Sequence, residues 1–379
     1  MSRKLRSNNH KQMEPVNMFI RSAIIAMLVV APLAAAEIQP RGRIHLDYAH
    51  HLEDASAFGN GFHLRRARLG LAGQLDQRWS YLVEYDFAEN DVQARDVLLR
   101  FQHTSAGQWT LGHFKVPFGL DELIGSNAMT FVERALPTTT LTQSRRIGLG
   151  YRQVGNQHSA EIMGFGQSIN GASLGDEGLG LAARLTFNPI RTEHSLLHVG
   201  LALSREQAAD SLDPTVRFRT RPESRPSDRR LVDTGVLDQV DWINRMGLEA
   251  AWQRGPWSIQ GERLEARVQR ENQLPGLGLD GWYLSASWIL TGESRSYRNG
   301  TFGGVRPAGA RGAWELALRR SAIDLGDADG GRQNNWTAAV NWYANQRVRF
   351  MLNYIAVDVD RNGQRDRPGI VLARAQVAF

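Results

Sequence analysis

Three arginines fall within four positions of the run FHLRRARLGLAG, residues 62–73: Arg65, Arg66 and Arg68. A guanidinium is a planar, permanently charged fork matched to oxyanions, so such a cluster is chemistry for holding or passing anions. Leucines and small residues alternate around it, the period of a β-strand. A strand with one face in a protein core would not accept three charges. A strand with one face on lipid and the other on water would. Leu69 and Leu71 share the apolar parity, and Arg66 and Arg68 fall on the opposite one. Arg65 falls with the leucines, where a lipid-facing arginine near mid-membrane costs roughly 2–4 kcal/mol. Either a bulge turns it inward, or it lies near an interface and snorkels.

Other charged residues sort in the same way. Asp96 shares a polar parity with Arg100 and Gln102, and Arg43 and Arg374 lie on the polar parity of their segments. The stretch TVRFRTRPESRPSDRR, 215–230, puts Arg217, Arg219 and Arg221 on one face. It reads equally as part of an anion path or as a solvated outer loop facing anionic lipopolysaccharide. Catalytic chemistry finds no support: Ser144, Ser159 and Ser204 lack a G-x-S-x-G setting, and the ten histidines show no H-E-x-x-H spacing. With no cysteine, disulfides and thiolate sites are excluded. No cofactor, metal site or catalytic residue is expected.

These residues need long alternating strands to position them. In WSYLVEYDF, Trp79, Tyr81, Val83, Tyr85 and Phe87 face one way while Ser80, Glu84 and Asp86 face the other. RIHLDY, NNWTAAVNWY, VRFMLNY and the final VLARAQVAF, ending on Phe379, repeat the pattern. Tryptophans gather near strand ends, as at Trp79, Trp109, Trp242, Trp257, Trp282, Trp314 and Trp336. Short connections such as LDQR, TSAG and ANQR alternate with long ones at 115–145, 168–178, 206–240 and 325–332. Tilted strands of about ten residues, interfacial aromatics and short-then-long connections together predict an all-β, antiparallel transmembrane β-barrel. Counting segments from 41–50 to 369–379 gives about 16 strands, the size that keeps an aqueous lumen. Residues 292–312 break the rule, being long on the short-turn side.

Residues 1–36 read as an export signal: a basic start, the apolar stretch SAIIAMLVVAPLAAA and small residues before Glu37. The start codon is either Met1 or Met18. The signal holds five of the 45 Lys and Arg and one of the 39 Asp and Glu. The mature domain, 37–379, then carries 40 basic and 38 acidic residues, and only Lys115 of the 40 is lysine. Any positive field must come from where the charges sit, not from their total. Export and interleaved acids argue against nucleic acid as a partner.

Several stretches resemble the phosphate-selective porin O and P family. They are LGHFKVPFGLDELIGSNAMTFVERALP (111–137), FHLRRARLGLAG, RFRTRPESRPSDRRLVDTG, LTGESRSY, GAWELALR and NWYANQRVRFMLNY, spread from first strand to last. The resemblance implies a 16-stranded outer-membrane barrel of the bacterial cell, a homotrimer passing inorganic phosphate, polyphosphate or related anions. It also implies an inner loop after the fifth strand, here 115–145, that constricts the lumen. Arg65 and Arg66 match the family's phosphate-contacting pair, which favours the bulge at Arg65. Arg134 matches a constriction arginine, with a structural pairing to Glu133 or a nearby carboxylate as the alternative. Asp96 matches an acidic lining residue, and arginines of 215–230 match an outer anion ladder. Two positions depart: Ser80 and Glu122 stand where phosphate-selective members carry lysine.

The expected function is therefore passive, anion-preferring diffusion. Its rivals are a porin of general or different selectivity, for example for organic acids, and an outer-membrane barrel enzyme. Expected partners are outer-membrane lipid and lipopolysaccharide, and the barrel-assembly machinery through Phe379.

Overall fold

The computed structural model describes residues 37–52, 55–88, 91–171, 178–208 and 214–379; the export signal read in 1–36 lies outside them. Strict apolar–polar alternation produces sixteen wall strands. They are β1 (Glu37–Leu52), β2 (Gly61–Gln74), β3 (Trp79–Asp86), β4 (Gln93–Gln102), β5 (Gly107–Lys115), β6 (Arg145–Val154), β7 (His158–Phe165) and β8 (Gly180–Arg191), followed by β9 (Ser195–Gln207), β10 (Val240–Arg254), β11 (Trp257–Arg270), β12 (Leu277–Ile289), β13 (Ala313–Asp324), β14 (Arg332–Tyr343), β15 (Val348–Arg361) and β16 (Gly369–Ala378). Each pairs antiparallel with the next, and β1 pairs with β16, so the sheet closes and leaves no edge. Gly42 and Phe379 complete the seam by exchanging both backbone hydrogen bonds, at 2.8 and 3.0 Å.

Outward positions are apolar and exposed, as at Leu69, Leu71, Leu111, Leu149, Leu181 and Leu185. Near the short-turn end stand Trp79, Trp109, Trp252, Trp257, Trp288, Trp314 and Trp342; towards the long-loop end stand Trp242, Trp282 and Trp336. Two belts with an apolar band between them are what a barrel meets in a bilayer.

Among the described residues, three long segments between strands fold inward. The 116–144 loop carries two short helices, α1 (Leu120–Leu123) and α2 (Leu136–Leu141). Helix starts leave amide donors without intrahelical partners, and carboxylates from elsewhere take them. Glu262 of β11 accepts from Leu120 N at 2.5 Å and Asp121 N at 2.8 Å, while Glu223 accepts from Leu136 N at 3.2 Å. Glu223 belongs to the long β9–β10 connection, whose Phe218, Leu231, Val232 and Leu237 are also buried.

The third inward segment is the exception at 292–312, and the structure explains it. A hairpin, Arg295–Arg298 with Thr301–Val305, enters the lumen from the short-turn end. Arg184 donates to Gly300 O at 2.8 Å, and Tyr297 Oη meets His198 Nδ1 at 2.7 Å. Phe302 is buried against Leu120, Ile124 and Met129 of the inner loop. The hairpin is long because it braces that loop from below.

The inward faces of the wall differ around the barrel. On β11–β16 they include Leu264, Val268, Leu279, Ile323, Ile355, Val357 and Leu372, which pack with Val116, Phe118, Val132 and Leu136 of the inner loop. The loops therefore fill that side, and open space remains along β1–β7.

Candidate pore and its constriction

The open space is a cavity of about 640 Å³ lined mainly by β1–β7 and the inner loop. Twelve of its lining side chains are basic and five acidic, so its field is positive although the chain's net charge is small.

Two bulges shape the wall. In the β1–β2 ladder Arg66 lies opposite His45 and Leu64 opposite Leu46, which leaves Arg65 as the extra residue. The strand changes parity there: Phe62 and Leu64 face outward before it, Leu69 and Leu71 after it. Arg65 and Arg66 both line the cavity. In the β3–β4 ladder Val83 pairs with Val97 and Tyr85 with Ala94, a second irregularity that brings Arg95 in beside Asp96. A bulge puts two consecutive side chains on one face, and here both bulges add an arginine to the lumen.

The charges then sort into pairs and singles. Arg65 makes a fork–fork pair with Glu133 of the inner loop, Nε to Oε1 at 2.6 Å and Nη2 to Oε2 at 3.0 Å. Arg68 donates to Asp86 at 2.8 Å and reaches Glu84 at 3.4 Å. Arg43 reaches Glu84 at 2.6 Å and Ser126 at 2.9 Å. Arg145 grips Asp96 with two bonds of 3.0 Å. By contrast Arg41, Arg66, Arg100 and Arg152 line the cavity with no carboxylate in salt-bridge range among the described residues. Arg66 contacts His45 Nδ1 at 3.1 Å, and its buried Nε has no hydrogen-bond partner. These four are the cations left to meet a diffusing anion.

The inner loop is a charge-locked plug. Arg134 donates to the carbonyls of Asp121, Glu122 and Ile124 at 2.9, 2.8 and 2.7 Å, and forms an ion pair with Glu122 Oε2 at 3.0 Å. Lys115 reaches Ile124 O at 3.3 Å, the Glu122 carbonyl, and Glu122 Oε1 at 3.7 Å. Burial pushes the Glu122 carboxyl up, but Arg134 and Lys115 outweigh it and hold the group below its ordinary value. For Glu133 burial is likewise outweighed, by Arg65, Arg66 and Arg374, and the carboxyl lies well below its usual range.

Not every candidate reaches the cavity. Arg374 lies in the β1–β16 seam, paired with Asp47 at 2.6 and 2.8 Å and with Glu133 at 2.9 Å, as an anchor for the loop. Arg217, Arg219 and Arg221 do not line it. Arg217 forks onto Asp233 at 2.7 and 2.5 Å, Arg219 is exposed, and Arg221 pairs with Asp228. Their alternate spacing fails as a guide because the stretch is an irregular loop with one two-residue bridge, Arg219–Thr220. Arg225 is the member of that stretch that reaches the cavity wall.

Several lining residues escaped sequence reading. Arg41 and Arg152 carry the lumen parity of their strands and could have been found by it. Arg95 needed the second bulge, which nothing local in QARDVLLRFQ announces.

An arginine-lined cavity inside a closed 16-stranded barrel, narrowed by an inward loop, is the geometry of a porin. The model of the family described as phosphate-selective porin O and P matches residues 38–379. The chain belongs to that family. Porin O of Pseudomonas aeruginosa is 26% identical over 391 residues, covering 89% of this chain and 87% of the relative. An uncharacterized protein of Caulobacter vibrioides is 31% identical over 369 residues, 89% of this chain and 73% of the relative. Among solved structures, an anion-selective porin from Comamonas acidovorans superposes with a TM-score of 0.61 at 13% identity, over 91% of this chain and 100% of that one. Family and fold make this an outer-membrane porin, a channel rather than an enzyme.

Proposed function

We propose that this porin lets phosphate, polyphosphate or related oxyanions diffuse passively and in preference to cations across the bacterial outer membrane. The observation that carries the reading is the cavity's excess of arginine, with Arg41, Arg66, Arg100 and Arg152 lacking carboxylate partners among the described residues. A guanidinium 4 Å from an anion gains about 1 kcal/mol in bulk water and about 4 at an effective dielectric near 20. Several such groups along one path exclude cations while each alone stays weak enough to release its anion. Arg65, Arg66, Arg68 and Arg134 form the positive wall of the constriction, and Asp96 orients Arg145. Arg217, Arg219 and Arg221 act at the mouth, drawing anions towards Arg225.

A second reading, a porin of broader anion selectivity, is favoured by one observation: Glu122 neutralises both Arg134 and Lys115 at the constriction. The finer picture follows the family: export directed by 1–36, a homotrimer in the membrane, insertion by the barrel-assembly machinery through Phe379, and lipopolysaccharide around the outer rim.

Planar-bilayer reversal potentials in a potassium chloride gradient test the proposal. Anion preference supports it and cation preference ends it. Block of the chloride current by added phosphate distinguishes a phosphate path from a general anion path.

A further inference from the structure

The buried arginines of the wall face the lumen, whereas Arg320 does not. This residue lies on β13 with the outward parity of Leu316 and Leu318, exposed on the lipid-facing surface. It is held between two indoles, 5.5 Å from the Trp282 ring centre and 5.4 Å from that of Trp336. Among the described residues no carboxylate lies in salt-bridge range of it.

Arg263, the outward arginine at the same height on β11, is paired with Glu265 and Asp280, and Arg320 differs from it in having aromatic neighbours in place of carboxylates among the described residues. Arg320 is six residues from Trp314, the short-turn belt member on the same strand. Six residues rise about 20 Å along a strand, or about 15 Å across a membrane at the usual tilt, against an apolar band of about 25 Å. That is the level of the outer belt: Arg320 lies opposite Trp336 in the β13–β14 ladder, and Arg263, six residues from Trp257, is exposed at the same level opposite Trp282. Two aromatic faces offset part of its desolvation, but among the described residues its N–H donors meet no acceptor.

Below it, between the belts, the outward surface is not flush. Ala286 and Ala338 leave a groove of about 530 Å³ walled by Leu316, Leu318 and Leu352. The three indoles of the outer belt all carry an arginine, Arg205 on Trp242 and Arg320 on the other two, and no arginine lies over any of the seven indoles of the inner belt among the described residues. Arginine thus lies over the indoles of the belt that faces the outer leaflet and not over those of the other.

We infer that Arg320, with Trp282 and Trp336, is a binding site for the phosphate of an anionic outer-leaflet glycolipid whose acyl chain lies in the alanine-floored groove. The inference rests on the outer-membrane placement of the barrel. A phosphate at the base of a headgroup, at the level of the outer belt, satisfies the guanidinium fork. Uncharged lipid supplies the chain without the acceptor.

The test uses the full-length protein purified from outer membranes, stripped of lipid, and titrated with bisphosphorylated lipid A or with the same lipid dephosphorylated, read by native mass spectrometry. The expected result is retention of the bisphosphorylated form, reduced about five-fold in Arg320→Gln, the effect of one basic group near an anionic headgroup. Ala338→Phe fills the groove and should weaken both lipids while Arg320 stays in place. Bilayer conductance of Arg320→Gln should equal that of the parent, because the residue lies outside the lumen. Equal lipid A retention in Arg320→Gln and parent, with normal channels, overturns the inference and leaves the porin reading intact. Dissociation of Arg320→Gln oligomers with lipid A retention unchanged also overturns it, by assigning this face to a second copy of the chain. Failure of the parent to form channels would fall on the outer-membrane reading instead.

Discussion

The Glu122 carboxylate lies 3.0 Å from the Arg134 guanidinium and 3.7 Å from the Lys115 ammonium, so a single acid on α1 neutralises two cations of the constriction. Glu122→Gln should leave both charges uncompensated, still held by the loop carbonyls, without changing the loop's size. Anion over cation permeability should rise about five-fold, the solvated end of the range for unit charges near contact distance. A reversal potential unmoved by the substitution would mean that these cations do not sense the permeating ion.

Arg66 and Arg134 separate selectivity from scaffolding. Arg66 lacks a carboxylate partner among the described residues, whereas Arg134 is bonded to three loop carbonyls and Glu122. Arg66→Ala should lower anion preference with unchanged channel noise. Arg134→Ala should leave the buried Glu122 beside Lys115 alone, loosen the loop and raise current noise. Stability should fall by about 3 kcal/mol, as for other disrupted buried pairs. Single-channel recordings and thermal unfolding distinguish the two outcomes; identical behaviour of both variants would merge roles that the geometry separates.

The Glu133 carboxyl is held well below its usual range by Arg65, Arg66 and Arg374 against the opposing effect of burial. A carboxyl depressed on folding contributes stability that is fully present above its unfolded value, about 4.3. That stability is lost as pH falls towards the lower folded value. Channel noise and melting temperature should therefore hold steady from neutral pH down to about 5 and change below about 4. In Glu133→Gln the step below pH 4 should shrink; a full-size step would place its origin in another carboxylate.

The barrel was legible because lipid enforces alternation on every strand, and the closing seam because Phe379 ends a strand of the right parity. Even Arg65 carries its own signature: the apolar parity is even at Phe62 and Leu64 and odd at Leu69 and Leu71, so a bulge must lie between them. What the alternation could not give is where the connections go. Irregular segments have no period, and their placement depends on contacts distant in sequence, such as Glu262 with α1, Glu223 with α2, and Phe302 with Leu120. For the same reason Arg217, Arg219 and Arg221 were aligned by a strand period in a stretch that is mostly loop, while Arg225 went unremarked as a lining residue. The apolar inward faces of β11–β16 were the available clue that loops would fill that side.

The hairpin at 295–305 gives the last test. Phe302 is buried among Leu120, Ile124 and Met129, so the constriction is held from the short-turn end as well as by the wall. Phe302→Ala removes that brace and should cost about 3–5 kcal/mol, as for other buried phenylalanines. The sixteen-stranded ladder is formed by other residues and should persist, so the loss should fall on the loop. Heat-resistant migration of the folded barrel should survive, while single-channel current becomes larger and noisier as the inner loop gains freedom. A variant with parental current and noise would show that Glu262 and Arg134 suffice to hold the loop, and that the hairpin serves only to fill the lumen.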